Sequence, residues 1–151
     1  MGLDCSHGAF NGAYSAFNRL RQAVCFVMGG SFPPHYQYNA DFSVVVSDDF
    51  PQIAQYRTDL DHANIYFGRD LENDSGLFVF LQHSDCGGEI SPEMCVRVAD
   101  ELEVLLPKID MLTKSSGGHI EAQGGYGAVL RKFIKGCRRA ASDHEPLLFG
   151  E

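Results

Sequence analysis

The sequence predicts an α+β fold, a small sheet packed by three main helices, and three observations carry that prediction. Apolar residues recur at three- and four-residue spacing over about 10–28, 92–106 and 126–141, the period of a helix with one buried face. Short β-branched or continuously apolar runs near 42–47 and 77–82, with flanking segments near 2–5 and 145–149, supply the strands. The length of 151 residues is that of one ordinary domain, so 1–151 reads as a single domain with 31–76 as an insertion or lobe.

In chain order, Phe10, Ala13, Tyr14, Phe17, Leu20, Val24, Val27 and Met28 make the apolar face of the first helix. Asn11 or Ser6 is placed to cap it, and Gly29-Gly30 to stop it. Ser31-Phe32-Pro33-Pro34 cannot continue a helix, because proline lacks the N–H and restricts the residue before it. Asp41–Ser47 reads as a strand, Ile53–Leu60 as a short helix, and Glu72–Gly76 as a turn. Leu77-Phe78-Val79-Phe80-Leu81 reads as the firmest strand, buried on both faces. Ser91-Pro92-Glu93 opens the second helix with a capping hydroxyl, a proline at the first helical position and an acid in the first turn. Pro107 is expected to end it, and Lys114–Gly118 to form a loop. The third helix follows, and Glu145–Phe149 closes the chain as an edge strand.

Composition narrows the function classes. An apolar share of 44% and a charged share of 21% are globular values and exclude a disordered chain. No apolar run approaches the roughly 18 residues of a membrane span, and the start lacks a signal-peptide pattern, so a cytoplasmic protein without a membrane partner is expected. Met1-Gly2-Leu3-Asp4-Cys5-Ser6 satisfies the myristoylation pattern, but the next dozen residues carry no Lys or Arg to hold a single acyl chain. A plain start followed by a short strand is the preferred reading. Twelve basic against twenty acidic side chains give a net charge of −8, which opposes general nucleic-acid binding. Five widely spaced cysteines without a CxxC pair support neither a disulfide framework nor a four-cysteine zinc site. Cys25, Cys95 and Cys137 fall on apolar helix faces, and only Cys5 and Cys86 lie among polar residues.

Two tetrapeptides share one composition: Asp4-Cys5-Ser6-His7 before the first helix, and His83-Ser84-Asp85-Cys86 after the 77–81 run. Each offers an imidazole, a carboxylate and a thiol, a zinc-type ligand set, although neither has the spaced pairs of a structural metal site. If residues 2–5 form a strand beside 77–81, the two clusters meet at one sheet end. The competing reading is that Asp4, Ser6, Ser84 and Asp85 cap helices and turns. Asp85–Ile90 also has the outline of a calcium-loop centre, but His83, Gly87 and Met94 fall where that loop needs oxygen ligands. For nucleophilic catalysis the best thiol–imidazole pairing is Cys86 with His83 or His7. No metal or cofactor is expected, and the chain leans towards a non-enzyme. Gly124-Gly125-Tyr126-Gly127 lacks the preceding strand of a phosphate loop, yet leaves N–H groups at the start of the third helix.

That helix carries Arg131, Lys132, Lys135, Arg138 and Arg139, five cations within nine residues of an acidic protein. They either complement the helix dipole and face water, or grip a phosphate-bearing small molecule or an acidic partner surface.

The opening MGLDCSHGAFNGAYSAFNRLR, the loop HSDCGGEISPEMC and the tail FIKGCRRAASDHEPLLF resemble a group of small uncharacterised phage, prophage and bacterial proteins. Those proteins begin MGLDCSH and carry HSDCDGEI-SPE; here Gly87 replaces the more usual Asp and removes one carboxylate. The resemblance covers about half the chain, at both ends. It implies a phage or mobile-element origin and, by analogy, counter-defence, but no established activity.

The leading expectation is a non-catalytic accessory protein that engages a small anionic, nucleotide-like ligand or a host protein. Asp4, His7, His83, Asp85, Cys86, Glu89, Arg131, Lys135 and Arg138 are the candidate binding residues. The alternatives are a metal- or thiol-dependent hydrolase and a structural interaction module. A homo-oligomer is compatible with all three.

Overall fold

The computed structural model describes residues 2–27, 36–38, 44–46, 76–83, 87–112 and 118–150. The readings of a short helix at 53–60, of most of the 31–76 lobe, of the Gly29-Gly30 stop and of Ser84, Asp85 and Cys86 lie outside the described residues. The architecture is α+β. A four-stranded antiparallel sheet runs in the order β2 (Asn11–Gly12), β1 (Leu3–Cys5), β6 (Leu147–Gly150), β5 (Glu89–Ile90). A separate two-stranded antiparallel sheet pairs β3 (Tyr36–Tyr38) with β4 (Val44–Val46). The helices are a 3-10 turn at Ser6–Gly8, α1 (Tyr14–Val27), α2 (Gly76–Gln82), α3 (Pro92–Asp110), α4 (Gly118–Ala122) and α5 (Tyr126–Ser142).

The core lies where α1, α2, α3 and α5 meet β6, and rings fill its centre. Phe17 of α1 stands with its ring centroid 5.0 Å from Phe10, 5.8 Å from Phe80, 5.9 Å from Phe133 and 6.0 Å from Phe149. Most of these pairs are edge-to-face, the arrangement that aromatic quadrupoles favour. Phe10, expected in the first turn of the first helix, is buried ahead of β2, and its carbonyl accepts the Cys5 N–H at 2.8 Å. The helix begins four residues later than expected because Asn11 and Gly12 are drawn into the sheet opposite Asp4 and Leu3.

The run expected as the firmest strand, 77–81, is helical. Leu77, Phe80 and Leu81 are buried, the i, i+3, i+4 set of a helix face. A short apolar run is compatible with either period, and here distant side chains decide between them. A Glu101 carboxylate oxygen of α3 accepts the Gly76 N–H at 2.9 Å at the start of α2. At its end, the buried Arg21 of α1 donates from Nε to the Phe80 carbonyl at 2.8 Å and from its guanidinium to the His83 carbonyl. An acid at the N-terminus and a cation at the C-terminus both satisfy orphan backbone groups and match the helix dipole.

The 42–47 strand is present as Val44–Val46, but in the separate sheet with β3, so it does not belong to the core sheet. The second helix does not stop at Pro107; α3 runs on to Asp110. Pro107 is exposed, as is Glu103 one turn earlier, so the proline ring lies on the outer side of the helix while Ile109 anchors the last turn in the core. At its start the Ser91 hydroxyl accepts the Met94 N–H at 3.2 Å, with Pro92 at the first helical position, as the sequence predicts. Ser91→Ala should therefore lower stability by about 1 kcal/mol, read as an urea midpoint shifted at unchanged slope. A full-strength midpoint would show that the hydroxyl contributes nothing. Gly118, expected in a loop, opens the short α4.

α3 and α5 form an antiparallel pair, because Arg131 near the start of α5 meets Asp110 at the end of α3, and Arg138 meets Asp100 and Glu103 further back. Among the described residues no helix is long and apolar enough to cross a membrane.

Candidate functional site

The four-stranded sheet brings Asp4 and Cys5 of the first predicted tetrapeptide, and Glu89 beyond the second, to a single strand. Cys5 of β1 lies opposite Phe149 and Asp4 opposite Gly150, while Glu89 of β5 lies opposite Leu148 on the other side of β6. His83 reaches the same place from the end of α2. Its ring lies 4.3 Å from that of Phe149, and its Nε2 is 3.0 Å from the Glu89 carbonyl oxygen. Cys5 and His83 are thus both neighbours of Phe149 in β6, although the run expected as the joining strand is a helix.

Their polar atoms nonetheless face different ways. Asp4 is exposed and accepts a hydrogen bond from the Asn11 amide at 3.3 Å. The Glu89 side chain is exposed and contributes only its backbone to His83. Cys5, expected among polar residues, alternates inward from its strand and is 3% exposed. Burial first, and the Asp4 charge second, push its thiol up to about 12 against the opposing pull of Arg21. A thiol in that setting stays protonated and is a poor nucleophile. Cys95 and Cys137 are buried where α3 meets α5, with Cys95 Sγ 3.7 Å from the Ile90 carbonyl. The hydrogen bond with Cys95, and then burial, raise the Cys137 thiol. Both behave as small hydrophobes, as the apolar face predicts.

His7 turns away from His83 towards the end of α5. Its backbone sits in the left-handed region at φ 58, and its side chain is largely enclosed. Nδ1 is 2.9 Å from the Ser6 hydroxyl, which also accepts the Leu148 N–H at 2.8 Å. Nε2 lies 3.8 Å from an Asp143 carboxylate oxygen and 3.6 Å from one of Glu145. Those two carboxylates were not among the expected site residues. They are brought together by the exit of α5, where the Glu145 N–H donates to the Ala140 carbonyl at 3.0 Å and the His144 N–H to the Ala141 carbonyl at 3.1 Å. This is a Schellman turn with His144 at the left-handed position, φ 55. Glycine usually marks that turn in a sequence; a histidine hides it.

The cations of α5 divide into two groups. Arg131 grips Asp110 with two hydrogen bonds of 3.0 and 2.6 Å, and this holds the Asp110 carboxyl below its usual range. Arg138 spans Asp100, at 2.9 Å, and Glu103. Two of the expected ligand residues are therefore already paired with carboxylates of α3. Lys132, Lys135 and Arg139 are exposed and have no ion pair among the described residues. Their spacing of three and four places them along one line of the helix surface. Lys135 was expected; Lys132 and Arg139 were seen as part of the basic run but not singled out.

Compared with protein-family models, with curated proteins and with solved structures, the chain matches none.

Proposed function

We propose that the protein is a non-catalytic binding protein of the phage accessory kind, and that the exposed line of α5 takes a small phosphate-bearing anion. The observation that carries this reading is the division of charge on α5. Acids of α3 neutralise Arg131 and Arg138, leaving Lys132, Lys135 and Arg139 together as a cationic strip uncompensated among the described residues of an acidic protein. Phosphate oxygens suit such a strip because charge-assisted hydrogen bonds to several cations add geometric fit to attraction. On the side of catalysis, Cys5 is removed as a nucleophile by its burial.

A thermal-shift screen of the full chain against mononucleotides, dinucleotides and inorganic phosphate tests the reading. A ligand at a hundred times its dissociation constant stabilises by about 2.7 kcal/mol, a rise of roughly 5–10 °C for a domain this size. The rise should vanish in a Lys132→Glu/Lys135→Glu/Arg139→Glu protein, which leaves the α3–α5 ion pairs intact. An equal rise in both proteins would move the site elsewhere. No rise with any of these anions would sink the anion reading and leave the basic line as a solvated face.

A further inference from the structure

We propose that His7, Asp143 and Glu145 form a site for one divalent transition-metal cation of the zinc type. One imidazole nitrogen and two carboxylate oxygens, taken from the turn after β1 and from the exit of α5, lie within 4.8 Å of one another. That ligand set suits zinc and its first-row neighbours better than calcium or magnesium, which prefer oxygen alone. The site is independent of the cationic strip and would stand if the anion reading failed.

The spacing favours an ion over direct contact. Hydrogen bonds between nitrogen and oxygen run from about 2.7 to 3.2 Å, so separations of 3.6 and 3.8 Å leave Nε2 bonded to neither carboxylate. Ligand atoms around a tetrahedral zinc, each about 2.1 Å from it, lie about 3.4 Å apart. The observed separations exceed that by a few tenths of an ångström, a distance that two exposed carboxylates close by small rotations.

Tautomer accounting points the same way. The Ser6 oxygen has two lone pairs, enough to accept both the Leu148 N–H and an Nδ1–H of His7. With the proton on Nδ1, the Nε2 lone pair faces two carboxylates, and three acceptors lie within 4.8 Å of one another. A cation satisfies all three. Ser6 then serves as the outer partner that orients a ligating imidazole, a role most metal-bound histidines require. The C-terminal end of a 17-residue helix adds its negative dipole end to the attraction. Backbone hydrogen bonds of the Schellman turn hold Asp143 and Glu145 in place before any ion arrives. Three protein ligands on an exposed rim leave a coordination position open to water or to an anion.

Titrating the full chain with zinc chloride by calorimetry tests the proposal, with cobalt(II) absorption to identify the ligands. One ion per chain is expected, with a cobalt spectrum lacking thiolate charge transfer. Asp143→Asn/Glu145→Gln should weaken binding by at least about 100-fold, because it removes two of three ligands where even an outer partner is worth 10–100-fold. His7→Asn, a residue that tolerates left-handed backbone, should weaken it likewise and provides a second route if the first protein folds poorly. No stoichiometric binding would overturn the site and leave His7, Asp143 and Glu145 as an ordinary surface cluster. Equal affinity in the wild type and the variants, or a thiolate spectrum, would place the ion elsewhere and overturn it as well.

Discussion

Gly136→Ala should destabilise the protein by about 2 kcal/mol, although helix propensity alone argues for the opposite sign. In the middle of a 17-residue helix, alanine is worth about 1 kcal/mol more than glycine. At this position, however, a Cβ would stand 2.4 Å from the Ala9 Cβ, 2.6 Å from its Cα and 2.9 Å from its backbone nitrogen. Two of those three atoms are main chain and cannot rotate aside, so α5 and the turn at Ser6–Gly8 must separate. Overpacking of this sort typically costs 1–3 kcal/mol and more where backbone has to move. The clash therefore outweighs the propensity gain. Thermal denaturation should show a melting point lower by roughly 4–8 °C. Adding Ala9→Gly should recover part of the loss, since it removes one of the three contacts. An unchanged or higher melting point for Gly136→Ala would show that the close approach carries no stability. The same contact seats His7 beside the end of α5, so zinc affinity should fall with stability in this variant.

Arg21→Ala should cost more, about 3–4 kcal/mol. The side chain is 5% exposed, and its guanidinium carbon lies 4.5 Å above the Phe17 ring. Its removal strips the Phe80 and His83 carbonyls of their donors at the end of α2. Hydrogen bonds from a charged group contribute about 1.5–3 kcal/mol each, and the lost packing against Phe17 adds to that. Arg21→Lys should rescue little, because an ammonium on a flexible stem cannot present the two-pronged fork to two carbonyls at once. Chemical denaturation gives the magnitude. Hydrogen exchange gives the location, with amides of 77–83 losing protection before those of α3. Full stability of the lysine variant would refute the fork argument.

Arg21 also explains why this region was misread. The helical pattern of 92–106 and 126–141 spans four turns or more, and Ser91 caps the first of them next to it in sequence, so both helices were legible within a few residues. The run at 77–81 is too short to show a period, and both groups that finish its helix come from other elements, Glu101 from α3 and Arg21 from α1. Strands near 2–5 and 145–149 were legible from their apolar residues, but β2 and β5, two residues each, are too brief for any alternation to register. The site was read in the same uneven way. His7 is legible because it stands in a polar cluster, whereas Asp143 carries no motif and Glu145 reads as the start of the closing edge strand. Arg131 and Arg138 read as ligand contacts in the sequence because nothing local shows that Asp100, Glu103 and Asp110 stand opposite them.

The place of β6 in the sheet also bears on the order in which the molecule can assemble. The strand formed by residues 147–150 lies between β1 and β5, so neither of those pairs with the other, and both wait for it. Joining residues 4 and 5 to 150 and 149 closes a loop of nearly the whole chain, whereas α3 and α5 are separated by a short connection. Loop closure charges its entropy before such distant contacts return anything, and topologies of this kind fold slowly. During synthesis the helical hairpin can form on the growing chain, while the sheet, and with it the apposition of His83 to Phe149, is a late event.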